Sequence, residues 1–350
     1  MIEPLNPVSG VENVPEGEAE QIAEIGALIV KLLDQRYRDG KPCLRGVHPK
    51  AHGCAQATFT VNDDIPDELQ VGIFAHAGAS YEAVVRFSNA AALVGPDVQD
   101  TIKDGVTTRQ HGSRGMAVKV RGLPGSSLAS DEPDTQDFLM VNFPVFPFAN
   151  VADYLALTKA QLTCEPDNAL VFKTFFTELM KSGGEARAKK AAEISGQIQR
   201  IAMSDPLSSE YFSAAPFMFG TDRLMKFRVT PVPDRPKTPL GESVDADYLR
   251  AALAKRLGEA DASFDFAVQV RPPSKEAEVE DVTKPWDAVA YQSVAKIAIP
   301  KQDLNATEGE ARCEALFFTP WHTLPEHRPV GGINRLRLAV YRASVDRRRK

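Results

Sequence analysis

The chain has 350 residues, 43% hydrophobic and 25% charged, proportions of a globular protein that could hold one large domain or two average ones. Its 47 acidic and 41 basic residues leave a net charge of −6, which argues against general binding to nucleic acid or to an anionic membrane. No run approaches the roughly eighteen apolar residues of a membrane helix, and MIEPLNPVSGVENVPEGE has neither the basic nor the apolar region of a secretion signal. Cys43, Cys54, Cys164 and Cys313 show no disulfide-type spacing, which fits a reducing compartment, so the cytoplasm is the expected location.

Residues 1–17 read as an arm punctuated by Pro and Gly. From Glu18 to Arg38, Ile22, Ile25, Leu28, Ile29, Leu32 and Leu33 recur at helical spacing and predict an amphipathic helix. Short strand-like runs follow at Ala57–Val61, Ala83–Ser88, Gly115–Val120 and Asp137–Val141, with turn residues between them. A long helical zone spans Asp167 to Met203 and is interrupted at Gly183-Gly184. Further strands are expected at Leu224–Val232, Ser263–Arg271 and Val294–Pro300, and a helix at Asp245–Leu257. Many short strands without regular βαβ alternation favour an α+β fold, an antiparallel sheet or barrel with helices outside it. No linker separates two halves, so residues 1–39 read as arm and helix and 40–350 as one domain.

The common catalytic strings are missing: there is no GxSxG, GxGxxG, P-loop, HExxH or CxxC. Two places still invite chemistry. In Cys43-Leu-Arg45-Gly-Val47-His48-Pro-Lys-Ala-His52-Gly-Cys54, two His and two Cys could ligate a soft divalent metal, though the spacing matches no common zinc module and Pro49 opposes a helix there. At the other end, RLRLAVYRASVDRRRK places Arg337 and Tyr341 one turn apart on a helix face, with Arg348 seven residues further along it. A cation beside a phenol favours the phenolate, the form a tyrosine metal ligand needs.

Taken together, these segments resemble the heme catalases and their shorter catalase-related proteins. RGVHPKAHGCAQATFTV is similar to the distal histidine signature, VVRFSN to the RFS segment, and GSRGMAVKV to the RGFAVKF strand. FLMVNFPVFPF is similar to the segment of the distal Asn, and RLRLAVY to the proximal R-x-x-x-Y signature. The resemblance runs in chain order over about residues 40 to 349. It implies the antiparallel β-barrel of the heme-catalase type with surrounding helices, and heme b as cofactor. Tyr341 would be the axial ligand of the heme iron, kept ionised by Arg337. His48 would be the distal acid/base, Ser88 its hydrogen-bonding partner, and Asn142 the group that orients peroxide. Arg45, Arg86 and Arg348 would pair with the propionates, and Val47, Phe143, Phe146 and Phe148 would form the apolar wall. The other histidines match no family position, and Met116 reads as core.

The implied activity is a heme peroxidase that reduces hydrogen peroxide and organic hydroperoxides through a high-valent iron state, with a small-molecule reductant that remains unidentified. A small true catalase and a non-catalytic heme- or metal-binding protein are the alternatives. The chain ends soon after the proximal helix and has a short arm, so an open distal side, bulkier hydroperoxides and weak catalase turnover are expected. Phe143 stands where the family usually has Thr, while Val47 matches the catalases rather than relatives that isomerise hydroperoxides. No nucleic-acid or membrane partner is expected, and a homo-oligomer, preferably a dimer, is.

Overall fold

A computed structural model describes residues 5–38, 41–103, 106–233, 240–241, 244–273, 279–305 and 307–349. In chain order the strands are β1 (Ala51–Val61), β2 (Ser80–Asn89), β3 (Gln99–Lys103), β4 (Val106–Gln110), β5 (Arg114–Arg121), β6 (Thr135–Val141), β7 (Tyr211–Phe212), β8 (Phe217–Phe219), β9 (Arg223–Pro231), β10 (Ala262–Arg271) and β11 (Gln292–Ile299). Eight of them follow the order β10-β11-β1-β2-β5-β6-β7-β9, and pairing of β9 with β10 closes the antiparallel barrel. Strand β8 adds to β9, and β3 with β4 makes a separate hairpin. The predicted α+β barrel is therefore present.

Two-residue alternation divides each strand between the barrel interior and its outer wall. On β2, Val85 and Phe87 enter the core while Arg86 and Ser88 point outward; on β5, Met116 and Val118 go in and Gly115 and Ala117 go out. The interior is packed with aromatic rings. Phe59, Phe138, Phe227 and Phe266 form a chain of ring contacts with centroids 4.7–5.7 Å apart, and all four are essentially excluded from solvent. Such rings prefer stacked and edge-on contacts of this kind and bury large apolar areas.

Helices lie against the wall: α1 (Glu18–Arg36), α2 (Val151–Cys164), α3 (Asn168–Gln199), α4 (Tyr248–Glu259), α5 (Thr307–Ala315) and α6 (Gly332–Arg348). The apolar stripe of α1 meets α6, with Ile25, Ile29, Leu32 and Leu33 clustering around Leu336 and Val340. One cation reinforces that packing. Arg335 on α6 binds Glu18 at 2.6 Å and Glu280 at 2.8 Å, and also Glu12 of the arm. Helix α3 carries the expected interruption: Gly184 has φ 80° and ψ 173°, outside helical space. Helices α2 and α5 were not anticipated, because neither segment has a clear apolar stripe. No helix among the described residues is long and apolar enough to cross a membrane.

The reading of the cysteines needs correction. Cys54 and Cys313 form a disulfide across 259 residues, while Cys43 and Cys164 are free. Spacing along the chain could not reveal a pair that only the docking of α5 on β1 brings together. The inference of a reducing compartment from cysteine spacing loses its basis.

Candidate active site

The loop before β1 carries His48 across the outer face of β2 and β5. Ser88 and Gly115 are cross-strand partners on that face, so a hydroxyl and an empty side-chain position stand side by side. The imidazole fills this seat. Its Nδ1 lies 2.9 Å from Ser88 Oγ, and a Cβ placed on Gly115 would fall 2.4 Å from Nδ1 and Cε1. His48 has a left-handed backbone, φ 57°, a conformation that costs a non-glycine residue about 1 kcal/mol or more. Arg86 holds it there by donating to the His48 carbonyl at 2.9 Å.

Electrostatics keep this ring neutral. Burial first, and then the positive charges of Arg86, Arg337 and Arg45, push its pKa down to about 3. His48 is nonetheless only half-buried by surface exposure. With Nδ1 occupied by Ser88, Nε2 is the ring nitrogen left for another partner.

Asn142 stands next to this seat, one residue beyond Val141, the β6 partner of Gly115. Its Oδ1 accepts from the Arg114 amide at 2.7 Å and from Ser113 Oγ at 3.3 Å, which leaves Nδ2 buried without a partner. An amide donor in that condition is costly unless something accepts from it.

Helix α6 supplies the other side. Arg337 lies 5.5 Å from the centre of the Tyr341 ring and donates to Asn334 Oδ1 at 3.1 Å. One turn on, Ser344 Oγ accepts from the Gly46 amide at 3.0 Å, which ties the His48 loop to the same helix. Tyr154 of α2 was missed by the sequence reading. Burial, then the nearby Tyr341, raise its phenol to about 12. Beside it, Phe146 and Phe148 stack at 5.1 Å in the cluster that holds Val340. Phe143 is not with them; it packs with Val145, Ile194 and Ile198 on α3. Val47 is half-buried next to His48.

Arg45, Arg86 and Arg348 do converge, and a residue the sequence reading overlooked answers them. Arg45 pairs with the Glu314 carboxylate, Arg86 lies 3.6 Å from it, and Arg348 donates to the Glu314 carbonyl at 3.3 Å. The alternative cluster around Cys43 is not assembled: Cys54 is bonded to Cys313, and His52 Nε2 lies 2.9 Å from Asn89 Oδ1. Among the described residues no group of three His, Cys, Asp or Glu side chains is placed to hold a metal ion.

Solved structures share this architecture. A bacterial catalase superposes with a TM-score of 0.65 over 92% of this chain and 60% of its own, at 18% identity. A fungal catalase gives 0.66 over all of this chain and 66% of its own, at 17% identity. Catalase A from Saccharomyces cerevisiae gives 0.65, again over all of this chain and 68% of its own, at 18% identity. The chain has the catalase-like fold. It spans 60–68% of the length of these catalases. No family model and no curated protein matches the sequence. Within the catalase-like barrel, the seat of His48 is a product of strand register, since Ser88 and Gly115 meet only because β2 and β5 pair as they do. A glycine inside a strand, flanked by Arg114 and Met116, was the available sign of that close approach.

Proposed function

We propose that the protein is a heme b peroxidase that reduces hydrogen peroxide and organic hydroperoxides with electrons from a second substrate. The observation that carries this reading is the deep, neutral imidazole of His48, fixed by Ser88 and Gly115 beside the unpartnered Asn142 amide. The fold of catalases supports it.

The residues present fit such a cofactor. Tyr341, with the Arg337 guanidinium 5.5 Å from its ring centre, offers a single phenol oxygen that would ligate a heme iron rather than hold a chelated ion. Arg86 and Arg348 each keep a buried Nε without a partner, in a cluster that calls for more negative charge than Glu314 brings. A flat cofactor with two carboxylates would satisfy those donors. When bound, heme supplies the iron that cleaves the peroxide bond and stores the oxidising equivalents.

The chain's own residues then move the proton and hold the substrate. His48 Nε2 takes the proton from the attacking oxygen of the hydroperoxide and delivers it to the departing one, so that ROOH, two electrons and two protons give ROH and water. Ser88 holds the ring in one orientation through Nδ1, and Asn142 Nδ2 donates to the peroxide. Val47, next to His48 in the chain, would favour an alkyl group, at roughly 0.8 kcal/mol per buried CH₂.

The test is spectroscopic and kinetic. Protein supplied with heme should show a high-spin ferric tyrosinate spectrum that Tyr341→Phe abolishes, and it should oxidise a phenolic dye with tert-butyl hydroperoxide at least as well as with hydrogen peroxide. Vigorous oxygen release from hydrogen peroxide without use of organic hydroperoxides would replace this reading by that of a small catalase. A Tyr341→Phe protein with an unchanged spectrum would remove Tyr341 as ligand.

A further inference from the structure

Three guanidinium groups from three elements meet at Glu314: Arg45 of the loop and Arg86 of β2 face its carboxylate, and Arg348 of α6 donates to its backbone carbonyl. Arg45 also donates to the backbone carbonyls of Cys313, Glu314 and Leu316 at 3.2, 3.3 and 2.8 Å. One carboxylate against three cations leaves the cluster under-neutralised. Burial, then the charge of Arg45, lowers Arg86 to about 9 and Arg348 to about 10. Both shifts mark cations that lack a compensating anion beside them.

A covalent bond holds this arrangement. Cys54 is the cross-strand partner of Arg86 in the β1–β2 ladder, and Cys313 immediately precedes Glu314. The Cys54–Cys313 disulfide therefore fixes the carboxylate beside the guanidinium from both sides. A cavity of about 310 Å³, lined by Cys54, Gln302, Leu304, Cys313 and Glu314, gives small molecules access to the bond.

We propose that the Cys54–Cys313 disulfide is a redox latch that seats Glu314 on a dicarboxylate site, and that heme propionates occupy this site as Glu314 is released. The inference rests on the heme reading above. A dithiol opens the latch: one thiolate attacks a sulfur of the disulfide, the second resolves the mixed disulfide, and the protein gains two thiols as the dithiol becomes a cyclic disulfide. Hydrogen peroxide closes it. One cysteine is oxidised to a sulfenic acid with release of water, and the other thiol displaces a second water to restore the bond.

The experiment is hemin titration of three forms of the full-length apoprotein: air-oxidised, reduced with dithiothreitol and desalted anaerobically, and Glu314→Gln. Absorbance of the bound hemin is the readout, so turnover is not required. Reduced protein and Glu314→Gln should bind hemin roughly tenfold more tightly than oxidised protein, the scale of losing one competing charge-assisted hydrogen bond. A Cys54→Ser, Cys313→Ser double variant should behave as reduced protein does. Hemin dimethyl ester lacks the acidic groups and should bind all forms alike. Ester binding together with equal hemin affinity in oxidised, reduced and Glu314→Gln protein would overturn the latch alone. Failure of every form to bind hemin or its ester saturably would overturn both the heme reading and the latch. Alkylation mapping that finds Cys54 and Cys313 free in air-oxidised protein would also overturn the latch.

Discussion

The imidazole of His48 rests directly on the backbone of Gly115, at a distance that leaves no room for a side chain between them: an added Cβ would lie 2.4 Å from Nδ1 and 3.0 Å from the oxygen of Ser88. Replacing Gly115 by Ala must therefore displace the ring, the hydroxyl or both. On the proposed heme-peroxidase reading, Gly115→Ala should slow peroxide reduction by about 10²-fold or more, the usual contribution of a positioned acid/base, with heme content retained. Stopped-flow absorbance on the heme-loaded variant measures it; an unchanged rate would remove the seat from the mechanism.

Arg335 gives a prediction about stability. It is the cation shared by Glu12, Glu18 and Glu280, with only 15% of its side chain exposed. Arg335→Ala leaves three acidic groups facing one another at the junction of α1 and α6, and should cost about 3–5 kcal/mol in urea unfolding. If Tyr341 on α6 ligates heme as proposed, the same variant should also lose heme more readily. A change below about 1 kcal/mol would show that solvent neutralises the acids.

Acid should weaken the fold before its carboxylates titrate. Burial depresses His52 and His327 to about 4, against 6.5 for an ordinary histidine, and both are nearly inaccessible. Between pH 6.5 and 4 the unfolded chain binds protons that the folded chain does not. Stability is thus complete above pH 6.5 and falls as pH decreases through this range, by up to ~1.4 kcal/mol per pH unit for each histidine. Urea midpoints at pH 7, 6 and 5 should show the decline, and His327→Gln should flatten it. A midpoint independent of pH over that range would contradict the depressed values.

Much of the barrel is legible in the chain because its strands alternate. Val85 and Phe87 against Arg86 and Ser88 already assign inner and outer faces on β2, whichever strand lies beside it. Helical spacing likewise aligns Arg337, Tyr341 and Arg348 on α6 without any knowledge of what they face. Glu314 is different in kind. It is the penultimate residue of a short polar helix with no apolar stripe, and its partners belong to β2, α6 and the loop before β1. The Cys54–Cys313 pair and the Phe143 packing against α3 are hidden for the same reason: each depends on how separate elements dock. Local patterns set the faces; tertiary contact decides the partners.

The stacked phenylalanines inside the barrel have a consequence for engineering. With Phe59, Phe138, Phe227 and Phe266 filling the lumen, no molecule can travel along the barrel axis to reach His48. Traffic has to cross the outer wall, between the loop at Arg45–Lys50 and the helices facing it. On the proposed reading, libraries meant to alter which peroxides arrive should therefore randomise that loop and its neighbours on α5 and α6, and treat the lumen as ballast to be left alone.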